Sequence, residues 1–207
     1  MDYTSARLNM VESQVRTVDV TDAAIQEAMR TIRRERFVPP SRAALAYADR
    51  VVEYAPGRHL MMPRDVAKLL QAVHPRPGER ALAIAAPYAA AVMARMGLRV
   101  TALEDPEAEA HAREALRGEG VDVVAGDLAR PEGSWDLIIS EGSAAEPPQA
   151  WLAALNPQGR LGLVIRRGPT GKATIFQRAG EAFGAREVFD AVPPWLPGFA
   201  PQAAFVF

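Results

Sequence analysis

The stretch from Arg80 to Glu104 constrains the fold of this chain more than any other. Its apolar run ALAIA predicts a short strand that is buried on both faces. The next run, PYAAAVMARM, predicts a helix that begins at Pro87 and ends before Gly97. RVTALE then predicts a second strand ending on an acid, Glu104. Strand, turn, helix, strand and acid together are typical of a nucleotide-type site in an open α/β sheet.

The turn between that strand and that helix lacks the residues such a site uses. In nucleotide-type sites, glycines let the backbone approach the ligand, and the acid binds the ribose hydroxyls. Here the turn is Ala85-Ala86-Pro87. Each alanine carries a Cβ where the ligand needs bare backbone, and the proline has no N–H to donate. The sequence therefore predicts the scaffold with a degraded ligand loop.

Composition excludes several classes of function. A net charge of −1, from 24 basic and 25 acidic residues, gives no electrostatic reason to expect nucleic acid or an anionic membrane as a partner. There is no cysteine, which excludes disulfides and thiol catalysis. The three histidines, His59, His74 and His111, form no H-x-x-H pair, so we expect no metal site. The N-terminus is polar and no apolar run approaches the ~18 residues of a membrane span, so we expect a cytoplasmic protein.

Strands and helices alternate through the middle of the chain, which predicts a mostly parallel sheet with helices on both faces. Ahead of it, residues 5–17 and 21–34 predict two amphipathic helices. The basic run Arg33–Arg36 is expected to end the second helix and face solvent. VVEYAPGRHLMMP predicts an extended or looped segment, after which Pro63 begins a helix.

A length of 207 residues suits one α/β domain and is short for two. We therefore predict a single domain over 1–207. Within it, residues 1–78 form a helical and looped extension packed on a core at 79–207.

Three runs in this order resemble the protein-L-isoaspartate O-methyltransferase family: RERFVPPSRAALAYAD, PGRHLMMPRDVAKLLQAV and NPQGRLGLVI. The similarity extends from about Ile25 to the C-terminus, and the first run is its most specific marker. The resemblance implies a class I S-adenosylmethionine-dependent methyltransferase fold, which is Rossmann-like. Its sheet has seven strands, the last of them antiparallel, and QAAFVF would be that last strand.

The resemblance also implies positions for a cofactor site. Glu104 stands where the family's acid binds the ribose of S-adenosylmethionine, and Asp127 where an acid contacts the adenine amine. Asp136 stands at the start of the fourth strand, beneath the site. The family's glycine-rich loop aligns to AIAAP, which contains Ala85 and Ala86. This loop is about two residues shorter here and lacks both the leading acid and every glycine.

The family's catalytic segment, T-x-S-x-P, aligns to HLMMP. Pro63 matches, but His59 stands at the threonine position and Met61 at the catalytic serine position. A methionine offers no hydroxyl to orient an isoaspartyl carboxylate. We expect His59 to be a hydrogen-bonded histidine on an apolar surface rather than a general base. No residue is therefore assigned a catalytic role from the sequence.

Other assignments stay open between alternatives. Glu104 is either the ribose acid or a solvated residue at a strand end, and Asp127 is more readily a turn residue than an adenine ligand. The segment from Tyr54 to Pro63 is either an adaptable interaction surface or an inward plug that fills the ligand crevice.

The sequence thus favours a family member with a degraded cofactor loop and catalytic segment. Such a chain would be a non-catalytic or weakly active binding or scaffolding module. Its partner would be a protein or peptide, with a homodimer also permitted. The alternative is an active S-adenosylmethionine-dependent O-methyltransferase acting on L-isoaspartyl or other carboxyl groups of damaged proteins. A third reading is a binder of a different ligand in the same crevice. The cofactor is S-adenosylmethionine in the active case, and otherwise none is expected.

Overall fold

The computed structural model describes residues 2–201, and a seven-stranded sheet forms its centre. A separate two-stranded hairpin precedes this sheet. The hairpin strands are β1 (Val52–Ala55) and β2 (Arg58–Leu60). The sheet strands are β3 (Arg80–Ile84), β4 (Arg99–Glu104), β5 (Val121–Ala125), β6 (Trp135–Ala144), β7 (Leu155–Arg167), β8 (Thr170–Ala179) and β9 (Ala182–Asp190).

The order of strands across the sheet is β5-β4-β3-β6-β7-β8-β9. All pairs from β5 to β7 are parallel, whereas β8 runs antiparallel to both of its neighbours. The predicted mostly parallel, seven-stranded sheet is confirmed. The antiparallel strand is the sixth of the seven, because two tight turns join β7, β8 and β9 into a meander. The segment QAAFVF, expected to form the last strand, lies outside the described residues.

Strand β3 occupies the centre of the sheet, as its continuous apolar sequence predicts. It pairs in parallel with β4 on one side and with β6 on the other. Every residue from Ala81 to Ile84 is buried. A strand covered on both faces has no solvent side, which is why ALAIA does not alternate with polar residues.

Six α-helices lie around the sheet in the described residues: α1 (Tyr3–Met10), α2 (Ala23–Thr31), α3 (Pro63–Val73), α4 (Pro87–Arg95), α5 (Pro106–Ala115) and α6 (Gln149–Ala153). Their apolar side chains form two cores of unequal size. The larger contains residues of α1 to α5 and one face of the sheet. The smaller lies on the other face, around Trp151 of α6. Helices therefore cover both faces, but one face only thinly.

The N-terminal helices are shorter than the sequence predicts. After α1 the chain continues as a π turn (Val11–Val15) and a 3₁₀ turn (Arg16–Val18). Asp22 then caps α2, its carboxylate accepting from the N–H groups of Ala24 and Ile25. Buried residues of this region share one core with the sheet. The division at residue 78 stays a prediction.

No helix among residues 2–201 is long and apolar enough to cross a bilayer.

Candidate functional site

Three of the predicted site residues, Ala85, Ala86 and Glu104, lie where the carboxyl ends of β3 and β4 meet β6. We call this region the crevice and define it by the turn Ala85–Pro87, by Glu104 at the end of β4, and by Ser140 and Glu141 of β6. Ligands of open α/β sheets bind outside the carboxyl ends of the strands. In this chain all of these residues are buried.

The turn after β3 keeps the backbone shape of a glycine loop without a glycine. Ala85 has φ +48°, in the left-handed region that alanine rarely adopts. Its N–H donates to the carbonyl of Leu103 at 3.0 Å, which holds the turn against β4. Ala85 and Ala86 are both buried, and Pro87 begins α4. The two methyl groups thus occupy enclosed space at the crevice, as the sequence predicts.

Glu104 is fully buried and faces the chain's own side chains. The hydroxyl of Tyr54 donates to its Oε1 at 2.7 Å. The Nε of Arg58 lies 3.9 Å from its Oε2, and the same guanidinium pairs with Asp105. Burial raises the pKa of Glu104 to about 8, because desolvation penalises the charged form more than these partners favour it. The solvated strand end considered from the sequence is therefore wrong. Assignment of Glu104 as a ribose acid stays a prediction.

The backbone N–H and carbonyl of Met61 both make hydrogen bonds to buried side chains at the crevice. Its N–H donates to Oε2 of Glu141 at 3.0 Å, while the N–H of Ala89 donates to Oε1 at 2.9 Å. Its carbonyl accepts from the guanidinium of Arg34. Burial raises the pKa of Glu141, which lies fully inside the protein. One carboxylate thereby joins the segment carrying Met61 to the first turn of α4.

Leu60 and Met61 are completely buried, Pro63 at the start of α3 is buried, and Met62 is partly buried. This burial matches the inward plug rather than the exposed interaction surface. Because the Met61 side chain is fully buried, it is not available to a partner.

The basic run Arg33–Arg36 was expected to face solvent, but its Arg34 is buried. Its guanidinium is buried, donating to the carbonyl of Ala46 at 2.8 Å and lying 4.3 Å from the centre of the Tyr88 ring. The run folds as a 3₁₀ turn from Arg34 to Phe37, and this turn directs one arginine inward. Buried arginines need several acceptors, and two carbonyls supply them here.

His59 lies on the hairpin, opposite Glu53. Its side chain is partly exposed, and burial lowers its pKa. The charge of Glu53 and a hydrogen bond of the ring with the backbone of Gly57 oppose this shift. That His59 is a hydrogen-bonded histidine rather than a general base stays a prediction.

The two remaining sequence-predicted acids lie outside the crevice. Asp127 accepts from the N–H of Ala129 at 2.9 Å, which is a turn contact, and its side chain lines a groove beside Leu103 and Trp135. Asp136 lies at the amino end of β6, at the opposite edge of the sheet. A metal site is not built anywhere in the described part of the chain, where no three histidine or acidic side chains converge.

Sequence reasoning missed the residues that fill the crevice, above all Tyr54, Arg58 and Glu141. One local signal pointed to Glu141: it directly follows the apolar strand WDLIIS, where a buried acid would meet the site. Tyr54 and Arg58 gave no comparable signal, because their partners lie about fifty residues away in sequence.

The family profile of protein-L-isoaspartate(D-aspartate) O-methyltransferase matches residues 6–188 of this chain. A protein-L-isoaspartate O-methyltransferase of Methylorubrum extorquens is 38% identical over 197 residues, covering 90% of this chain and 86% of the relative. A protein of the same name from Aeropyrum pernix is 35% identical over 176 residues, covering 79% and 68% respectively.

Solved structures carry the same fold. A crystal structure from Plasmodium falciparum, described as a protein-L-isoaspartate O-methyltransferase in complex with S-adenosyl-L-homocysteine, superposes with a TM-score of 0.78 at 18% identity. It covers 92% of this chain and 97% of the other. A second protein-L-isoaspartate O-methyltransferase superposes with a TM-score of 0.76 at 22% identity, covering 91% of this chain and 65% of the other.

Proposed function

The chain belongs to the protein-L-isoaspartate(D-aspartate) O-methyltransferase family, and we propose that it is a member in which methyl transfer is lost or weak. In this proposal it acts as a binding or scaffolding module for a protein or peptide. The observation that carries the proposal is the Tyr54 hydroxyl bound to Glu104, at the position where the family's acid binds the cofactor ribose.

The residues of the crevice do not fit S-adenosylmethionine as they stand. The acid is occupied, and the turn that should present bare backbone carries the methyl groups of Ala85 and Ala86. Pro87 removes a further N–H donor at the start of α4. In this proposal, no step of methyl transfer runs through the cofactor in this chain.

The catalytic segment supports the same proposal. A sulfonium is already a good leaving group, so an enzyme accelerates methyl transfer mainly by holding the nucleophile and the methyl group in line. Met61 stands at the family's catalytic serine position, has no hydroxyl, and is buried with its backbone bound to Glu141 and Arg34. Without a positioned substrate carboxylate and a cradled cofactor, little of that acceleration remains.

An active O-methyltransferase is the second candidate, and the comparisons favour it over the first. The relatives that cover most of this chain at 35–38% identity are named protein-L-isoaspartate O-methyltransferases. The implied substrates are then L-isoaspartyl or other carboxyl groups of damaged proteins, with S-adenosylmethionine as the methyl donor. This candidate requires Tyr54 to leave Glu104, so that a ribose can take its place.

A methyl-transfer assay separates the two candidates. Radiolabelled S-adenosylmethionine and an isoaspartyl peptide are incubated with the protein at high concentration, with the Methylorubrum extorquens relative as positive control. We expect no incorporation, or incorporation reduced by several orders of magnitude. Turnover clearly above the blank that is abolished by Glu104→Ala would establish the active candidate. In either case, the homodimer and the cytoplasmic location stay predictions.

A further inference from the structure

The segment Tyr54–Met62 crosses the mouth of the crevice, and we call it the strap. It is anchored at three points: Tyr54 on Glu104, Arg58 on Asp105, and the backbone of Met61 on Glu141. Each anchor is an acid: Glu104 ends β4, Asp105 follows it directly, and Glu141 lies within β6. The strap therefore uses the polar groups that a ligand of this crevice would use.

Tyr54 gives Glu104 the same kind of bond that a ribose would give. A hydroxyl group donates to the carboxylate at 2.7 Å, inside the protein and away from water. The phenol ring is held in place by His111, whose ring stacks on it with centres 5.6 Å apart and an angle of 23°. His111 is itself fixed by a contact of 3.1 Å between Nε2 and the carbonyl of Phe37. The hydroxyl is thus a positioned competitor for the acid.

The strap leaves the polar groups of the crevice incompletely satisfied. Among residues 2–201, Oε2 of Glu104 has no hydrogen-bond partner, and neither do Nε and Nη1 of Arg58 or Oγ of Ser140. All of these atoms are buried, and an unpartnered buried polar atom costs free energy. A single phenol can donate to only one carboxylate oxygen. A vicinal diol can form hydrogen bonds with both oxygens, because each hydroxyl can donate to a carboxylate oxygen or accept from a protonated one. The unpartnered oxygen therefore points to a ligand with two adjacent hydroxyls.

We propose that Tyr54 is the residue that excludes ribonucleosides from the crevice, by occupying Glu104 with its own hydroxyl. This inference rests on the proposed function, in which the wild-type chain binds such ligands weakly. Removing the phenol frees both the acid and the volume of the ring. The crevice should then accept a nucleoside with a 2′,3′-diol, even though the alanine turn remains.

Binding of adenosine and of S-adenosylhomocysteine to wild type and Tyr54→Ala, followed by ligand-detected NMR titration, tests the proposal. We expect Tyr54→Ala to bind both ligands at least tenfold more tightly than wild type. The gain should vanish for 2′-deoxyadenosine, which lacks the diol. Tyr47→Ala is the matched control, because the Tyr47 hydroxyl also donates to a carboxylate, that of Glu35, but outside the crevice. It should leave affinity unchanged.

A folded Tyr54→Ala variant with wild-type affinity would overturn the proposal, and so would an equal gain in Tyr47→Ala. If Tyr54→Ala does not fold, Tyr54→Phe is the deciding variant, because it keeps the ring and removes only the hydroxyl. We expect about a threefold gain in affinity from the freed acid alone. No gain in affinity would refute exclusion by the hydroxyl. Tight binding by wild type would refute the proposed function instead. The ratio between variant and wild type would still test Tyr54 separately.

Discussion

Charged groups at the amino ends of the parallel strands differ in burial and in hydrogen bonding from those at the carboxyl ends. At the amino ends, Asp136 uses both oxygens, accepting from the N–H of Arg80 at 2.9 Å and from the amide of Asn156 at 2.8 Å. Arg160 makes two bonds of 2.9 Å to Glu79 and two more to backbone carbonyls. These groups keep some contact with water and are well partnered.

At the carboxyl ends, the charged groups are fully buried and poorly partnered. Within the described part of the chain, Glu104 has one bonded oxygen and one without a partner, and Arg58 has two nitrogens without partners. The backbone bond from Arg80 lowers the pKa of Asp136, whereas burial raises the pKa of Glu104. The amino ends resemble a site built for stability. At the carboxyl ends, the acids at the positions proposed for ligand binding are enclosed by side chains of the same chain.

Unlike Glu104, Glu141 accepts a hydrogen bond at each of its two carboxylate oxygens. Its removal should therefore lower the stability of the protein more than any other substitution proposed below. Glu141→Ala leaves the N–H groups of Met61 and Ala89 without acceptors and Arg34 without a buried counter-charge. We expect a loss of about 4 kcal/mol in the free energy of unfolding, measured by urea denaturation. Glu141→Gln, which keeps one acceptor oxygen, should lose about half as much. A loss below about 1 kcal/mol in Glu141→Ala would show that the strap is not anchored there.

The two acids predict opposite responses to pH. The pKa of Glu104 is raised from 4.5 to about 8, so the folded state holds a proton that the unfolded state releases. Stability should therefore fall as pH rises between about 5 and 8, by at most about 1.4 kcal/mol per pH unit and about 3 kcal/mol overall. Glu104→Gln removes this dependence, and thermal melts across that range compare it with wild type.

Asp136 is the matched control for that experiment. Its pKa is lowered, so its contribution is present above its ordinary value and is lost as pH falls through the lowered one. Asp136→Asn should therefore change stability at neutral pH and leave the slope between pH 5 and 8 unchanged. Equal slopes for wild type and Glu104→Gln would contradict the burial assigned to Glu104.

Two arginine substitutions test the comparison between the two ends directly. Arg160→Met removes four hydrogen bonds from partners that remain partly buried, and should cost about 2 kcal/mol. Arg58→Met removes a guanidinium with two nitrogens unpartnered among the described residues and fills the space with an apolar chain. It also removes the pair with Asp105, but the Asp105 carboxylate is partly exposed and water can solvate it. It should cost less than about 1 kcal/mol, although Arg58 is the more deeply buried residue. A larger loss of stability for Arg58→Met than for Arg160→Met would contradict the claim that charged groups at the carboxyl ends are the less well partnered.

The smallest effect is expected in the turn. Ala85 has φ +48°, and an alanine in that region carries about 1–2 kcal/mol of strain. Ala85→Gly relieves this strain but gives the unfolded chain more freedom, so we expect a net stabilisation of about 0.5–1 kcal/mol by calorimetry. Ala86→Gly is the control, because Ala86 has φ −141° and gains no relief. A lower melting temperature in Ala85→Gly would contradict the strained turn.

The central part of the fold could be predicted because its signals are local. The continuous apolar run of β3, Pro87 at the start of α4 and Gly97 after it lie within twenty residues of one another, and the structure has them as predicted. Strand direction near the C-terminus was expected only from the resemblance, which assigned the antiparallel strand to QAAFVF, outside the described residues. Nothing in a strand sequence records the direction of its neighbours, so the antiparallel β8 could not be predicted.

The site was only partly predictable. The positions of Ala85 and Ala86 in a turn and of Glu104 at a strand end were predicted from spacing, and the structure has them there. Their role in ligand binding stays a prediction. The partners of Glu104 could not be found in this way. Tyr54 lies fifty residues before it, and only the folded chain brings their side chains together. Arg34 was expected in solvent because its neighbours are charged, yet the 3₁₀ turn directs it inward.

Calorimetric titration of the wild-type protein with S-adenosylmethionine and S-adenosylhomocysteine tests the central claim most directly, namely that the chain's own side chains occupy the crevice. We predict a Kd above ~1 mM for both ligands, equivalent to less than ~4 kcal/mol of favourable binding free energy. A micromolar Kd, or either ligand carried through purification, would contradict the claim.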